Sequence, residues 1–170
     1  MTVDDVRLSV LAELRARDIP YEMIEHEPAD TMEKCALCEA RLGGVMPKNL
    51  FLTPRSRHVH CLLVMRPELP FHTSVVSKRA GTARLGFAPE EDLFAFLRTR
   101  PGSISPLGLM FDREQRVRLM MDEALQTQER VLVHPCDNRY TLALARADLA
   151  LLFSAWGRAV EWINLDEGKE

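Results

Sequence analysis

No stretch of this chain approaches the roughly eighteen consecutive apolar residues that a membrane-spanning helix needs, so no transmembrane segment is expected. The opening Met1-Thr2-Val3-Asp4-Asp5 is acidic and lacks the basic then apolar order of a secretory leader. The cytoplasm is therefore the expected compartment. Phosphate-binding P-loops, dinucleotide fingerprints and the His-Glu-x-x-His zinc signature are all missing. So is the Gly-x-Ser-x-Gly elbow of serine hydrolases, which means that any hydrolytic chemistry must proceed without a recognisable protein nucleophile. Positive charge is also scarce: the formal net charge is −3, which argues against a broad basic surface for duplex DNA. The four cysteines are too few and too scattered for a disulfide framework or a four-thiolate zinc site. Cys35 and Cys38 form one close pair, but it falls inside a predicted helix, and Cys61 and Cys136 stand alone. Neither a metal nor a redox role is expected of them.

What is present describes an ordinary globule. The 170 residues suit one domain spanning 1–170, with 46% hydrophobic and 28% charged residues. Val6, Val10, Leu11 and Leu14 recur at helical spacing, predicting an amphipathic helix over 4–17 that Pro20 closes off. A short strand follows over 21–26. Asp30 with Glu33 fits a capping box opening a helix over 31–41, which Gly43-Gly44 breaks. Residues 49–53 and 59–65 read as a hairpin around Pro54-Arg55-Ser56-Arg57. Further helices are predicted over 73–80, from Pro89 with Leu93, Phe94 and Leu97 buried, and over 148–156. Strands are expected over 84–87, 116–121, 131–134, 140–145 and 160–165, with a loop over 102–108. Strands and helices in irregular order imply a mixed α/β (α+β) domain with a largely antiparallel sheet. Two basic clusters, Arg55/Arg57/His58/His60 and Lys78/Arg79/Arg84, read as solvated faces.

Three segments carry candidate chemistry. Lys48 and Asn49 immediately precede or open the apolar strand Leu50-Phe51-Leu52, which sets a charge at a sheet edge. Gly102-Ser103-Ile104-Ser105-Pro106 is a loop whose glycine lets backbone amides turn inward. His134-Pro135 ends an apolar run, and Asn138 beyond it suits a turn. In this order the three segments resemble the freestanding prolyl-tRNA editing proteins, relatives of the editing domain inserted in bacterial prolyl-tRNA synthetases. The resemblance runs from about Val6 to Leu165. One departure is Thr53, where some relatives carry a basic residue; either Arg55 in the following turn substitutes for it or acceptor-stem recognition is altered.

The resemblance implies a curved, partly barrel-like sheet flanked by helices. It also implies hydrolysis of the ester joining a wrong amino acid, alanine above all, to proline tRNA. The catalytic elements it implies are Lys48, which fixes the terminal nucleotide, and the backbone at Gly102, which polarises the ester carbonyl. Substrate binding falls to Ile24, Asn49, Arg84, Ser103, Ile104, Ser105, Pro106, Val133 and His134. No metal or cofactor is implied. The expected partner is the acceptor end of tRNA(Pro), with prolyl-tRNA synthetase as a further candidate and neither membrane nor DNA. Two alternatives stay open: a deacylase for Cys-, Ser- or Thr-tRNA, and a non-catalytic module that binds the tRNA end.

Overall fold

The computed structural model describes residues 1–166. Its eight strands form two sheets rather than one. A three-stranded antiparallel sheet has the order β1-β7-β6, where β1 is Glu22–Glu25, β6 is Arg130–Val133 and β7 is Tyr140–Ala145. A five-stranded sheet has the order β4-β2-β3-β5-β8. Here β2 is Lys48–Pro54, β3 His60–Met65, β4 Leu85–Phe87, β5 Val117–Asp122 and β8 Val160–Ile163. The pairs β2–β3 and β2–β4 are antiparallel, while β3–β5 and β5–β8 are parallel; with β1–β7 and β6–β7 of the small sheet, antiparallel pairs predominate as expected.

The two sheets meet just before β2. Val45 bridges Val131 of the small sheet, and three residues later the chain enters the large one at Lys48. That crossing demands glycine. Gly44 has φ +104°, and a Cβ there would lie 2.6 Å from the Arg130 carbonyl oxygen. Among the described residues the strands close no barrel; the single Val45–Val131 bridge joins the two sheets.

Period-two alternation explains why the large sheet is covered on both faces. Leu62 and Val64 of β3 join one core cluster, whereas Cys61, Leu63 and Met65 join another. Helix α1 (Val3–Ala16) lays Val6, Val10, Leu11 and Leu14 on the first cluster, together with Leu149, Leu152 and Phe153 of α5 (Arg146–Ala155). Helix α3 (Thr73–Ala80) covers the second with Val76 and Ala80. Helix α2 (Met32–Leu42) packs Cys38 onto Leu132 and Ala143 of the small sheet.

Local expectations needed some correction. The capping box lies at α1, where Thr2 and Asp5 bond reciprocally, and not at α2. There Thr31 caps the helix by accepting from the Lys34 amide, one residue beyond the Asp30 expected from the sequence. In α4 (Glu90–Leu97) Phe94 is only half-buried, with the Arg98 and Arg100 guanidinium groups over its ring. Asp92 takes the buried position beside Leu93. The loop after Gly102 winds into a 3-10 turn over Pro106–Phe111. His60 is not on a solvated face: it is buried, 2.8 Å from the Asp92 carboxylate, and stacked on Phe51.

Candidate functional site

The crossing between the sheets opens a two-part cavity. Its outer part is a cleft of about 410 Å³ between α2 and the segment after β3, lined among others by Met32, Cys35, Pro47, Lys48, Pro67 and Glu68. Its inner part is a chamber of about 150 Å³, lined among others by Asn49, Ile104, Leu132, Val133 and His134. Ala29, Cys35, Met46, Pro47 and Gly102 border both, so the cleft and the chamber adjoin.

Strand alternation assigns the first two residues of β2 to different compartments. Lys48 lies on the cleft side, where its Nζ donates to the Leu69 carbonyl oxygen. Asn49 points the other way, towards the chamber. Its Oδ1 is buried without a hydrogen-bond partner among the described residues. Strand β4 pairs with β2 only from Leu52 onward, so the Lys48 end of β2 is bonded on one side alone. This is the sheet edge that the sequence placed there.

The loop from α4 arrives opposite. Gly102 has φ +87°, a backbone state that L side chains rarely adopt, although a Cβ would meet nothing closer than Asn138 Nδ2 at 3.4 Å. Conformation rather than space calls for glycine here. The Ser103 amide donates to the Arg100 carbonyl, closing a turn. Among the described residues the amides of Gly102 and Ile104 take no protein acceptor, and both residues line the chamber. Ser103 and Ser105 are spent on the loop itself. Ser103 Oγ bonds the Arg100 backbone, and Ser105 Oγ accepts from the Leu107 amide as the cap of the 3-10 turn that Pro106 begins.

His134 closes the chamber at the end of β6. It is buried, and its Nδ1 lies 2.8 Å from the Tyr140 carbonyl oxygen. A carbonyl only accepts, so Nδ1 carries the proton and Nε2 is left as an acceptor. Burial holds the His134 pKa below its ordinary value; His26 nearby adds to this, and the Tyr140 bond opposes it. His26 was not foreseen. Its Nε2 meets the Thr141 hydroxyl at 2.7 Å, and its ring stands 6.4 Å from that of His134.

Lys48, Asn49, Gly102, Ile104, Val133 and His134 are thus brought together. Ile24 is not on the wall: it packs behind it, against Cys38, Met46 and Leu132. Arg84 is elsewhere, beside Arg55, Arg57 and Phe87 in a groove at the Pro54 end of β2. Ala29, Met46 and Leu132 line the chamber without having been singled out, since their apolar side chains carry no local signal; Cys35, considered above only for metal or redox chemistry, lines it too. Desolvation raises the Cys35 thiol pKa, which keeps it protonated. Among the described residues no group of three His, Cys, Asp or Glu is placed to hold a metal ion.

Comparison with known proteins bears on this arrangement. The aminoacyl-tRNA editing domain family matches residues 26–152. The chain is 30% identical to the prolyl-tRNA editing protein ProX of Acetoanaerobium sticklandii, over 95% of this chain and 98% of that one. It is 33% identical to the prolyl-tRNA synthetase associated domain-containing protein 1 of Danio rerio, covering 85% and 79% of the two chains. A crystal structure provisionally assigned as a trans-editing enzyme for prolyl tRNA synthetase superposes with a TM-score of 0.72. It is 17% identical and covers 96% of this chain and 98% of its own.

Proposed function

This chain belongs to the aminoacyl-tRNA editing domain family, and from that premise we propose that it is a trans-editing deacylase that hydrolyses mischarged tRNA(Pro), Ala-tRNA(Pro) first among its substrates. The whole chain, 1–170, acts as the one editing domain. The observation that carries this reading is a cleft bordered by Lys48 directly adjoining a chamber of about 150 Å³. A single-stranded RNA end can be splayed into such a cleft, with its esterified amino acid alone entering the chamber.

Lys48 Nζ holds the terminal nucleotide through phosphate or hydroxyl contacts, exchanging its bond to the Leu69 carbonyl for them. Water attacks the ester carbonyl, helped by the vicinal ribose hydroxyl. The Gly102 and Ile104 amides meet the oxyanion as it forms, and the ribose oxygen leaves with a proton. No side chain need form a covalent bond, because an aminoacyl ester is already activated and positioning supplies the rest. Val133 and His134 set the size limit, with Ile24 supporting that wall from behind. A clash with the proline ring spares correctly charged tRNA, whereas attraction alone separates small apolar side chains poorly. Arg84, with Arg55, meets the RNA further from the ester.

The deciding assay follows tRNA(Pro) charged with alanine, serine, cysteine or proline. Wild type is expected to release alanine fastest and to spare proline. Lys48→Ala is expected to slow release at least roughly tenfold, because a charge-assisted contact contributes about 1.5–3 kcal/mol. Lys48→Arg recovers part of the rate, since a planar fork does not replace a compact ammonium. Binding of charged tRNA without hydrolysis of any ester would make the protein a binding module instead.

A further inference from the structure

The segment that leaves β3, Arg66-Pro67-Glu68-Leu69-Pro70, walls the cleft with Pro67 and Glu68 and supplies the carbonyl on which Lys48 rests. Its prolines lack an N–H, and among the described residues no backbone–backbone hydrogen bond starts or ends in 67–71. No ladder therefore holds its shape, and Leu69 is only partly buried against the second core cluster. The polar fastening is at its start. Asp122, wholly buried at the end of β5, accepts from the Arg66 amide at 3.1 Å, from Nε at 2.7 Å and from Nη2 at 3.2 Å. The Ala124 amide also donates to this carboxylate at 3.0 Å, and Arg66 Nη2 reaches Asp166 at 2.9 Å. Lys48, by contrast, pairs with no carboxylate among the described residues, and the Leu69 carbonyl is its partner there.

We propose that Asp122 and Arg66 are positioning residues for Lys48, acting through the Leu69 carbonyl. The proposal rests on the deacylase reading and names what prepares its lysine. A long lysine side chain loses much rotamer freedom when it is fixed on a ligand. Held at the cleft by Leu69 before RNA arrives, the ammonium has already lost that freedom. The terminal nucleotide then takes over a bond from a group in place, and binds more tightly for it. The carbonyl serves this purpose only if the segment bearing it is fixed relative to β2. Arg66 fixes it, because a guanidinium fork on one carboxylate sets direction as well as distance. Asp122 in turn sits on β5, in the same sheet as β2. A buried ion pair contributes little net stability compared with apolar packing, so placing the segment is the better account of this one. Lys48 grips the nucleotide rather than the reacting ester, so its preparation favours substrate and transition state alike and is read in KM.

The test measures kcat and KM of the full chain on alanyl-tRNA(Pro) for wild type, Arg66→Met, Lys48→Ala and the double variant, with folding checked by urea titration. Arg66→Met keeps the aliphatic stem and loses the fork. It is expected to raise KM at least roughly threefold and to leave kcat within about twofold of wild type. Merely structural damage does the reverse: a smaller folded fraction lowers the apparent kcat and leaves KM unmoved. In the Lys48→Ala background the Met substitution is expected to add nothing to KM. Arg66→Lys, which keeps a cationic donor, should recover part of the affinity. Asp122→Asn, which keeps the shape and one acceptor, carries the same comparison if the Met variant does not fold. An unchanged KM, or a KM effect that persists without Lys48, overturns the proposal and leaves the deacylase reading standing. If wild type cleaves no ester, the deacylase reading fails, and Lys48 is followed directly by pulse acetylation with acetic anhydride and mass spectrometry. Faster labelling of Lys48 in Arg66→Met, with Lys34 unchanged, supports the positioning, and equal labelling overturns it.

Discussion

The buried Oδ1 of Asn49 is unpaired among the described residues and is carried at a thermodynamic cost, so under the proposed function activity and stability are expected to oppose each other there. Leaving such a group without partners costs about 1–3 kcal/mol, so Asn49→Leu is expected to raise the urea unfolding midpoint even as it impairs the site. His134 gives a second expectation, for pH. Burial depresses its folded pKa below the ordinary 6.5, with His26 also lowering it and the Tyr140 carbonyl and Asp137 opposing. Above pH 6.5 both folded and unfolded forms are neutral and the stability is fully present. As pH falls below that value, only the unfolded chain takes up the proton, so stability declines until the folded pKa is passed. Urea midpoints between pH 7.5 and 5.5 should therefore fall more steeply for wild type than for His134→Gln. At this scale Lys48, Asn49, Gly102 and His134 are picked out by their order in the family pattern, and the structure brings them to one cavity; taken singly, a lysine, a Gly/Ser/Pro loop and a lone histidine read as surface, connection and structural group. Ala29, Met46 and Leu132 are not picked out, and Cys35 is weighed only for metal and redox chemistry, because only the meeting of α2 with the small sheet makes them walls.

At the scale of elements, α4 is fastened to the β2–β3 hairpin by a polar cluster. Asp92 accepts from Arg57 Nε at 3.0 Å and lies 2.8 Å from His60 Nε2, and the Arg57 hydrogen bond holds its pKa below the usual carboxylate range. Removing the carboxylate in Asp92→Ala strands a buried imidazole between Phe51 and Phe96. A loss of roughly 1.5–3 kcal/mol is expected in denaturant titration, at the lower end because Arg57 is partly solvated. The helical and strand periods were readable for α1, α3 and α5 because each buries one apolar face. The role of His60 was not, since its partner lies 32 residues away. Nor was the αL closure of α4 at Arg98, which has φ +55° and sits where glycine would be the simpler choice.

The whole molecule is tied together by a buried ion pair. Arg158 Nη2 lies 2.7 Å from Asp112 Oδ2, and its Nη1 donates to the Val117 carbonyl; Asp112 also accepts from the Val117 amide at 2.8 Å. The pair joins the 3-10 turn, β5 and the segment after α5. Arg158→Met would leave Asp112 charged and buried, and a loss of about 3–5 kcal/mol is expected from thermal or urea unfolding. The sequence conveyed the α+β class and the antiparallel bias through element order and turn residues. It did not convey the division into two sheets or the one bridge, Val45 to Val131, that joins them at a glycine approach. Within the fold, β2 runs as one seven-residue strand with Lys48 at its start and the Arg55–Arg84 groove beyond its end. At about 3.3 Å per residue that separation is roughly 20 Å. Because both sit on the same stiff rod, the proposed function would make β2 a gauge. An RNA tail with contacts about that far apart is expected to fit, and lengthening it by one nucleotide is expected to overshoot one anchor or the other and slow deacylation.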